Sequence, residues 1–369
     1  MDAIVVGEFG SSSVVDVERP EPGNGEALID VSRVQLSVTE CLLYRGREVA
    51  HYDAVEQAIH GGEVGARLFG HEFCGEVVEC GPDVEAFAVG DRVYAPGKIH
   101  CGSCPYCRSG YANYCLDTTA IGYDRPGALA EYVRLPTGPL RALPDGVSDA
   151  AGAALQPLAS SVLCTIDAGI EPGDDVLVVG AGVMGFHCAM LARRFGAGEV
   201  YAVDVRERPL SIAADCGITP IDATETDPVA EIRAATGGLG ADVAFAAVGG
   251  EQSHATDGDA PLAQAFRALR RGGTLLQVGH IEGEIEMTPR VARSKAVRWE
   301  NPRKGVANVS PGTDTGELAA ELVASDTISV EEYVTHELDG LESFEEAVEI
   351  TLDKQTHDAL GPAQIVLDN

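Results

Sequence analysis

Four cysteines lie within fifteen residues, at Cys101, Cys104, Cys107 and Cys115, with the spacing C-x2-C-x2-C-x7-C. Four thiolates at such short range suit a tetrahedral zinc ion, which needs no fifth group. The competing interpretation is a ferredoxin-type iron–sulfur cluster. Its usual run has x3 before the last cysteine and a proline after it, whereas this chain has x7 and Leu116. The pattern therefore predicts a structural zinc that holds a protruding loop and takes no part in chemistry.

A second stretch, residues 175–204, reads as a strand, a G-x-G-x-x-G turn, a helix, another strand and a terminal acid. We expect Gly180 to permit the tight turn, Gly182 to let the backbone approach a pyrophosphate, and Gly185 to let the helix pack close to the strand. The N–H groups at the start of such a helix attract phosphates. Because all parts of the pattern agree, it predicts a dinucleotide site.

The acid that ends this stretch, Asp204, bears on which dinucleotide binds. A carboxylate here accepts hydrogen bonds from the adenosine ribose and repels a 2′-phosphate, which favours NAD. Arg206 follows two residues later and could bind that phosphate, so NADP stays open. The predicted cofactor-binding residues are Gly180, Gly182, Val183, Met184, Gly185, Asp204, Arg206 and Gly279.

Elements of two kinds must position these residues. Residues 1–45 alternate short β-like runs with turns, whereas from residue 175 onwards strands alternate with helices. Six parallel strands with helical crossovers make a complete doubly wound sheet, so the predicted fold class is α/β. Residues 47–68 are polar and contain glycine, which predicts a loop or a loose helix.

Composition limits the function classes. The length of 369 residues suggests about two domains. Asp and Glu number 58 against 26 Lys and Arg, a formal net charge of −32, which predicts a cytoplasmic protein of a salt-accumulating organism. Clustered cations, which nucleic acid needs, are missing. We expect neither a membrane span nor a signal peptide, because no long apolar run and no basic-then-apolar start occurs.

A further motif, Gly70-His71-Glu72, precedes a predicted strand. With the four cysteines, the glycine motif with Asp204, Gln156-Pro157-Leu158-Ala159 and His336-Glu337-Leu338, it makes the chain resemble the zinc-containing medium-chain dehydrogenase/reductase family along essentially its whole length. The resemblance implies a GroES-like β-rich catalytic domain made from both chain ends, a Rossmann domain, a cleft between the two, and homodimers or homotetramers. Within the family, the chain looks most like the polyol, sugar and threonine dehydrogenase branch.

The resemblance also implies domain boundaries. The catalytic domain is expected at 1–157 with its zinc lobe at about 95–118, the Rossmann domain at 158–307, and a return to the catalytic domain at 308–369. In this family a zinc ion polarises an alcohol oxygen, a Ser or Thr relays the proton, and hydride passes to the nicotinamide.

Carried over by position, Thr39 is the proton relay and Glu40 is an acid that supports the site. His71 and Glu72 are metal ligands or other active-site groups. The chain departs from the family pattern at two ligand positions, where Ser37 replaces a cysteine and Gln156 replaces a glutamate. The candidate catalytic residues are Ser37, Thr39, His71, Glu72 and Gln156.

Three interpretations of this altered site stay open, because neutral serine is a poorer zinc ligand than thiolate. Zinc binds through His71, Glu72 and water, with help from Ser37 or Gln156. Alternatively Cys41, one helical turn after Ser37, supplies the thiolate. In the third interpretation a catalytic zinc is absent.

The predicted function is that of an NAD(P)-dependent alcohol dehydrogenase for a polyol, a sugar or a similar hydroxylated small molecule. Two rivals remain. One is a zinc-independent reductase of an activated carbonyl or alkene that uses NADPH. The other is a dinucleotide-binding protein without turnover.

Overall fold

The computed structural model describes residues 1–61, 66–251, 260–282, 284–286, 288–303 and 305–367. The chain forms two compact units. The first, here called the catalytic unit, comprises Met1–Ala159 and Lys304–Asn369, and the second, the nucleotide unit, comprises Ser160–Arg303. Among the described residues, no helix has the length and apolar character that crossing a membrane requires.

The elements below are numbered in chain order. The strands are β1 (Asp2–Glu8), β2 (Ser11–Asp16), β3 (Glu26–Gln35), β4 (Glu72–Cys80), β5 (Arg92–Tyr94), β6 (Ile99–His100), β7 (Thr118–Thr119), β8 (Tyr132–Pro136), β9 (Arg141–Ala142), β10 (Val176–Val179), β11 (Val200–Asp204), β12 (Thr219–Asp222), β13 (Ala241–Ala246), β14 (Gly250–Glu251), β15 (Leu269–Gln277), β16 (Ile281–Glu282), β17 (Arg298–Glu300), β18 (Asn308–Ser310), β19 (Thr313–Asp314), β20 (Glu337–Asp339) and β21 (Gln364–Val366). The helices are α1 (Val38–Tyr44), α2 (Tyr52–Gly61), α3 (Pro105–Arg108), α4 (Asp149–Ala153), α5 (Leu155–Ala168), α6 (Val183–Arg194), α7 (Glu207–Asp215), α8 (Pro228–Ala235), α9 (Pro261–Ala268), α10 (Pro289–Lys295), α11 (Thr315–Ala324) and α12 (Phe344–Leu352).

The catalytic unit is built on a seven-stranded sheet in the order β20-β21-β3-β4-β5-β9, with β8 also paired to β3. Its central strand β3 buries Ala27, Ile29 and Val31, and these pack in one core with Phe344 and Val348 of α12. Fully burying an apolar side chain of this size contributes about 1.5–3 kcal/mol. The β-rich unit is therefore completed by strands and a helix from the last part of the chain.

The nucleotide unit contains a six-stranded parallel sheet in the order β12-β11-β10-β13-β15-β17. All four residues of β10, Val176–Val179, are buried, as an interior strand covered by helices on both faces requires. Counted along the chain, this order is 3-2-1-4-5-6, the doubly wound arrangement. The structure thus confirms the predicted α/β fold class and its doubly wound sheet.

Two stretches near the site have a local structure of their own. Residues 149–168 form two helices, α4 and α5, that meet at Ala154. Pro157 has no N–H to donate to the carbonyl of Ala153, which favours a break in the helix there. Within residues 47–68, the structure forms the regular helix α2, which buries Val55 and Ile59 in the core of the catalytic unit. Residues 62–65 of that segment lie outside the described residues.

Candidate active site

Helix α1 begins with a pair of reciprocal hydrogen bonds. Ser37 is its N-cap, and the Ser37 Oγ accepts a hydrogen bond of 3.2 Å from the Glu40 backbone N–H. The Glu40 Oε2 in turn accepts one of 3.1 Å from the Ser37 N–H. This capping box fixes the first turn of the helix. It also turns the Glu40 carboxylate inward, where the side chain is buried.

The second oxygen of Glu40 organises the Gly70-His71 segment. Oε1 accepts hydrogen bonds from the Gly70 N–H at 2.8 Å and from the His71 N–H at 3.1 Å, and it lies 2.7 Å from His71 Nδ1. Gly70 has a φ of +80°, and a Cβ there would lie 2.7 Å from the backbone N of Leu129. Only glycine fits this position. Glu40 thus orients the imidazole and leaves its Nε2 for another partner.

The electrostatics of this pair follow from burial and proximity. Burial by itself lowers the pKa of His71, but the charge and hydrogen bond of Glu40 outweigh it and raise that pKa to about 9. Burial acts to raise the pKa of Glu40, yet the net effect of His71 and of two backbone hydrogen bonds is to lower it. Both shifts favour an ion pair in which Glu40 is buried and His71 is half-buried.

Glu72, the first residue of β4, lies beside this pair. Its Oε1 is 3.7 Å from His71 Nε2, and its Oε2 accepts a hydrogen bond of 2.6 Å from Gln35 Nε2. Burial raises the pKa of Glu72 to about 7, partly opposed by His71 and Gln35. Gln35 Oε1 accepts a hydrogen bond of 3.1 Å from Gln364 Nε2.

These side chains stand in register across four strands. Glu337 of β20 pairs with Gln364 of β21, Gln364 with Gln35 of β3, and Gln35 with Glu72 of β4. Arg33 bridges the first two of these residues, because its Nη1 lies 3.3 Å from Gln364 Oε1 and 2.7 Å from Glu337 Oε2. We call Glu337, Gln364, Gln35 and Glu72 the polar ladder. It supports the Glu72 carboxylate from within the sheet.

An aromatic group that sequence reasoning missed completes the site. The Tyr123 hydroxyl lies 3.3 Å from His71 Nδ1, and the Tyr123 ring stacks on His51 with centroids 4.5 Å apart. His51 Nε2 is 3.3 Å from Lys98 Nζ. These residues are 20 or more positions from His71 in the chain, and no spacing pattern in the sequence points to them.

The other two predicted catalytic residues, Thr39 and Gln156, lie in helices α1 and α5. Thr39 is half-buried in the first turn of α1, between Ser37 and Glu40. Gln156 is the second residue of α5 and is also half-buried. Cys41 instead packs in the core of the catalytic unit, and burial raises the pKa of its thiol.

The four cysteines of the predicted zinc site come together. Their sulfur atoms all lie within 4.8 Å of one another. Backbone N–H groups point at the sulfurs, as from Cys104 to Cys101 Sγ at 3.3 Å and from Cys107 to Cys104 Sγ at 3.5 Å. Such hydrogen bonds lower the pKa of Cys104 to about 6. The arrangement fits a tetrahedral zinc ion held by thiolates.

The glycine motif has the geometry that a dinucleotide needs. Gly180 has a φ of +97°, and a Cβ on Gly185 would lie 1.8 Å from the Gly180 carbonyl oxygen. Gly182 is the N-cap of α6, without a side-chain hydrogen bond there, and a Cβ on it would meet no atom within 4 Å. The start of α6, with Val183 and Met184 in its first turn, is thus uncrowded at Gly182, as the approach of a pyrophosphate to the backbone requires.

Asp204 and Arg206 lie next to this motif. Asp204 Oδ2 accepts a hydrogen bond of 2.8 Å from the Ala181 N–H, which ties the end of β11 to the glycine turn. Arg206 Nε lies 3.6 Å from Asp204 Oδ1. The acid that favours NAD and the cation that favours NADP therefore contact each other. Gly279 follows β15, and a Cβ there would lie 2.6 Å from the Val248 carbonyl oxygen.

Comparison with known proteins agrees with both halves of this geometry. The family model described as "Alcohol dehydrogenase GroES-like domain" matches residues 23–145, and the one described as "Zinc-binding dehydrogenase" matches residues 183–301. This chain belongs to the zinc-containing medium-chain dehydrogenase family.

Curated relatives include members of the same family. L-threonine 3-dehydrogenase of Aeromonas salmonicida is 34% identical over 224 residues, which is 61% of this chain and 63% of that protein. The enzyme of the same name from Coxiella burnetii is 36% identical over 208 residues, 56% of this chain and 58% of that protein. The matched region thus spans less than two thirds of either relative.

Solved structures of similar proteins cover the whole fold. An alcohol dehydrogenase of Thermus sp. ATN1 is 27% identical, with a TM-score of 0.81 and full coverage of both chains. A protein of Sinorhizobium meliloti 1021 solved with bound NADP is 26% identical, with a TM-score of 0.82 over 100% of this chain and 99% of that one.

The two metal positions implied by this zinc-containing family differ in fit. The four cysteines are the one group of three or more conventional ligand residues that the described part of the chain brings together. On the Nε2 side of His71, the described residues add one conventional ligand, Glu72, because the Glu40 carboxylate lies against Nδ1, and the third protein ligand of a catalytic zinc site is missing there. The cysteine cluster fits zinc, and the His71 site does not.

Proposed function

We propose that this protein is an NAD(P)-dependent oxidoreductase that transfers a hydride between a nicotinamide and the carbinol carbon of an alcohol, polyol or sugar-type substrate. The observation that carries the proposal is the geometry of Gly180, Gly182 and Gly185, a phosphate cradle at a helix N-terminus. The L-threonine 3-dehydrogenase relatives support a small hydroxylated substrate.

In this proposal the nucleotide unit binds the cofactor. The N–H groups of Val183 and Met184 would hold the pyrophosphate, and the Asp204 carboxylate would accept hydrogen bonds from the ribose. When bound, the nicotinamide supplies the hydride chemistry. Arg206 lies close enough to Asp204 to neutralise it, which supports some use of NADP as well as NAD.

The catalytic unit would manage the proton that alcohol oxidation releases. Thr39 carries a hydroxyl that can accept and donate, and Glu40 holds His71 in one orientation at 2.7 Å. Ser37 and Gln156 are proposed to line the same site. The four cysteines would hold a structural zinc, whose bonds to four thiolates cross-link residues 101–115.

A substrate panel tests the function. Purified protein is assayed in high salt with L-threonine, polyols and sugars, following NAD(P)H absorbance in both directions. Turnover of at least one hydroxylated substrate supports the proposal. Cofactor binding without turnover of any substrate contradicts it and supports a non-catalytic dinucleotide-binding protein.

Cofactor preference has its own test in Arg206→Ala. Losing a charge-assisted hydrogen bond to a phosphate costs about 1.5–3 kcal/mol, so we expect kcat/KM with NADP to fall roughly tenfold or more. The value with NAD is expected to change less than about twofold, since NAD has no 2′-phosphate. Equal losses with both cofactors would show that Arg206 does not contact that phosphate.

A second candidate function is reduction of an activated carbonyl or alkene with NADPH and without zinc. The neutral side chains of Ser37 and Gln156 at two ligand positions favour it. The discriminating assay adds enones and activated ketones to the panel. Reduction of these without alcohol oxidation would favour this second function.

The charge supports a proposal about conditions. With a net charge of −32, we propose that the fold depends on salt, as in organisms that accumulate it. The melting temperature is expected to rise between low and molar KCl, and an unchanged value would contradict this. Cytoplasmic location and assembly as a homodimer or homotetramer stay predictions.

A further inference from the structure

We infer that this chain holds zinc in the cysteine cluster alone, and that hydrogen bonds between protein groups replace the catalytic zinc of its family. The inference rests on the proposed function and deepens it, because it states which groups meet the substrate oxygen.

Ser37 occupies the position of the missing cysteine ligand. Ser37 carries a neutral hydroxyl, and its oxygen already accepts the hydrogen bond from the Glu40 N–H that caps helix α1. A metal bond there would compete with this cap, which is worth about 0.5–2 kcal/mol. Thiolate, the ligand that most favours zinc, is missing from this position.

The thiol nearest to Ser37 in sequence is that of Cys41. Cys41 lies one helical turn after Ser37, but it is 1% exposed and packs in the core of the catalytic unit. Burial disfavours the charged thiolate form of this thiol, and the thiolate is what binds zinc. Cys41 therefore does not supply the missing ligand.

His71 and Glu72 are the two ligand residues of the family pattern that remain. His71 uses Nδ1 for Glu40 at 2.7 Å, and Glu72 uses Oε2 for Gln35 at 2.6 Å. Each residue has one remaining atom that could bind a metal, His71 Nε2 and Glu72 Oε1. These two atoms lie 3.7 Å apart. An imidazole and one carboxylate make half of a tetrahedral shell, and a structural or catalytic zinc takes at least three protein ligands.

Polar groups of the protein lie beside His71. Tyr123 is 5% exposed, and its hydroxyl lies 3.3 Å from His71 Nδ1. Its ring stacks on His51, which lies 3.3 Å from the ammonium of Lys98, one of four lysines in the chain. Hydroxyl, imidazole and ammonium donors are the groups that a substrate oxygen would meet here.

The experiment is elemental analysis of zinc per chain in the full-length protein, purified in high salt without added metal. About one zinc per chain is expected in the native sequence, and a value near two would overturn the inference. Cys104→Ser is expected to remove that zinc. If this variant keeps one zinc per chain, the metal lies elsewhere and the inference is again wrong.

A second pair of variants tests the assignment to Ser37 and Gln156. The double variant Ser37→Cys, Gln156→Glu restores two anionic ligands and is expected to raise zinc toward two per chain. Ser32→Cys adds a thiol on strand β3, away from the two altered ligand positions, and is the control, expected to stay at one zinc per chain. Failure of the double variant to gain zinc would contradict the view that these two side chains exclude the metal.

The same samples separate this inference from the proposed function. Turnover of a hydroxylated substrate at one zinc per chain supports both. One zinc ion per chain without turnover supports the zinc assignment and counts against the proposed function. Two zinc ions per chain with turnover contradict the zinc assignment and support the proposed function.

Discussion

The cysteine cluster and the His71 site are both places where a zinc-containing family member would be expected to bind metal, and they are built in opposite ways. The cluster takes all four donors from residues 101–115, and its sulfurs are held by N–H groups of the same segment. The His71 site collects Gln35, Glu40, Glu72 and Tyr123 from separate strands, helices and loops. A local site tolerates changes elsewhere in the fold, whereas a site of distant parts depends on every strand that contributes to it.

The largest effect is expected from breaking the local site. Cys104→Ser leaves three thiolates, so zinc is expected to fall from near one per chain to near zero. Structural zinc contributes folding free energy directly, and we expect the melting temperature to fall by about 10 °C or more. Elemental analysis and thermal unfolding followed by circular dichroism measure both effects.

The control for this variant is Cys216→Ser, which changes a half-buried cysteine of the nucleotide unit. Its zinc content is expected to match the native protein. Full zinc in Cys104→Ser would mean that the four sulfurs do not act as one metal site.

A smaller effect is expected from breaking the distributed site at Glu40. Glu40→Ala leaves His71 Nδ1 and the N–H groups of Ser37, Gly70 and His71 without their acceptor. Breaking a buried ion pair costs about 3–5 kcal/mol, so the free energy of unfolding should fall by that amount. Denaturant unfolding measures the loss, and zinc per chain should not change. A loss below about 1 kcal/mol would show that Glu40 does not organise the site.

The smallest effect sharpens the comparison through a second buried histidine. His187 of α6 is fully buried, and neither of its ring nitrogens has a hydrogen-bond partner among the described residues. Burial lowers the pKa of His187 to about 3, whereas Glu40 raises that of His71 to about 9. Below its ordinary value of 6.5, the unfolded chain protonates His187 and the folded chain does not. Stability is therefore lost as pH falls through that window.

His187→Leu removes this contribution. Relative to the native protein, its free energy of unfolding should rise by about 2 kcal/mol between pH 7 and pH 5, as the linkage relation gives for one such group. Denaturant unfolding at the two pH values measures it, with His60→Leu at an exposed position as the control. A pH-independent difference would mean that His187 is protonated in the folded state.

The same contrast between local and distributed features explains what the sequence predicts. The fold class, the doubly wound sheet and the glycine turn follow from short patterns such as the strand Val176–Val179 and the motif after it. The capping box of helix α1 is also local, but the family resemblance assigns Ser37 only to the active site and not to the N-cap. The role of Tyr123 and the polar ladder do not follow from short patterns, because each depends on the register of strands far apart in sequence. The break at Ala154 depends on Pro157, a signal that was present in the sequence.

The polar ladder has a consequence for how the protein is made. Gln364 lies 329 residues after Gln35, to which it donates a hydrogen bond. During synthesis, Gln35 and Glu72 leave the ribosome early. Gln364, which bonds to Gln35, is added only when almost the whole protein has been translated. The cysteine cluster, by contrast, can close as soon as residue 115 emerges. In a nascent chain, the four cysteines can therefore come together long before the polar ladder that supports Glu72 is complete.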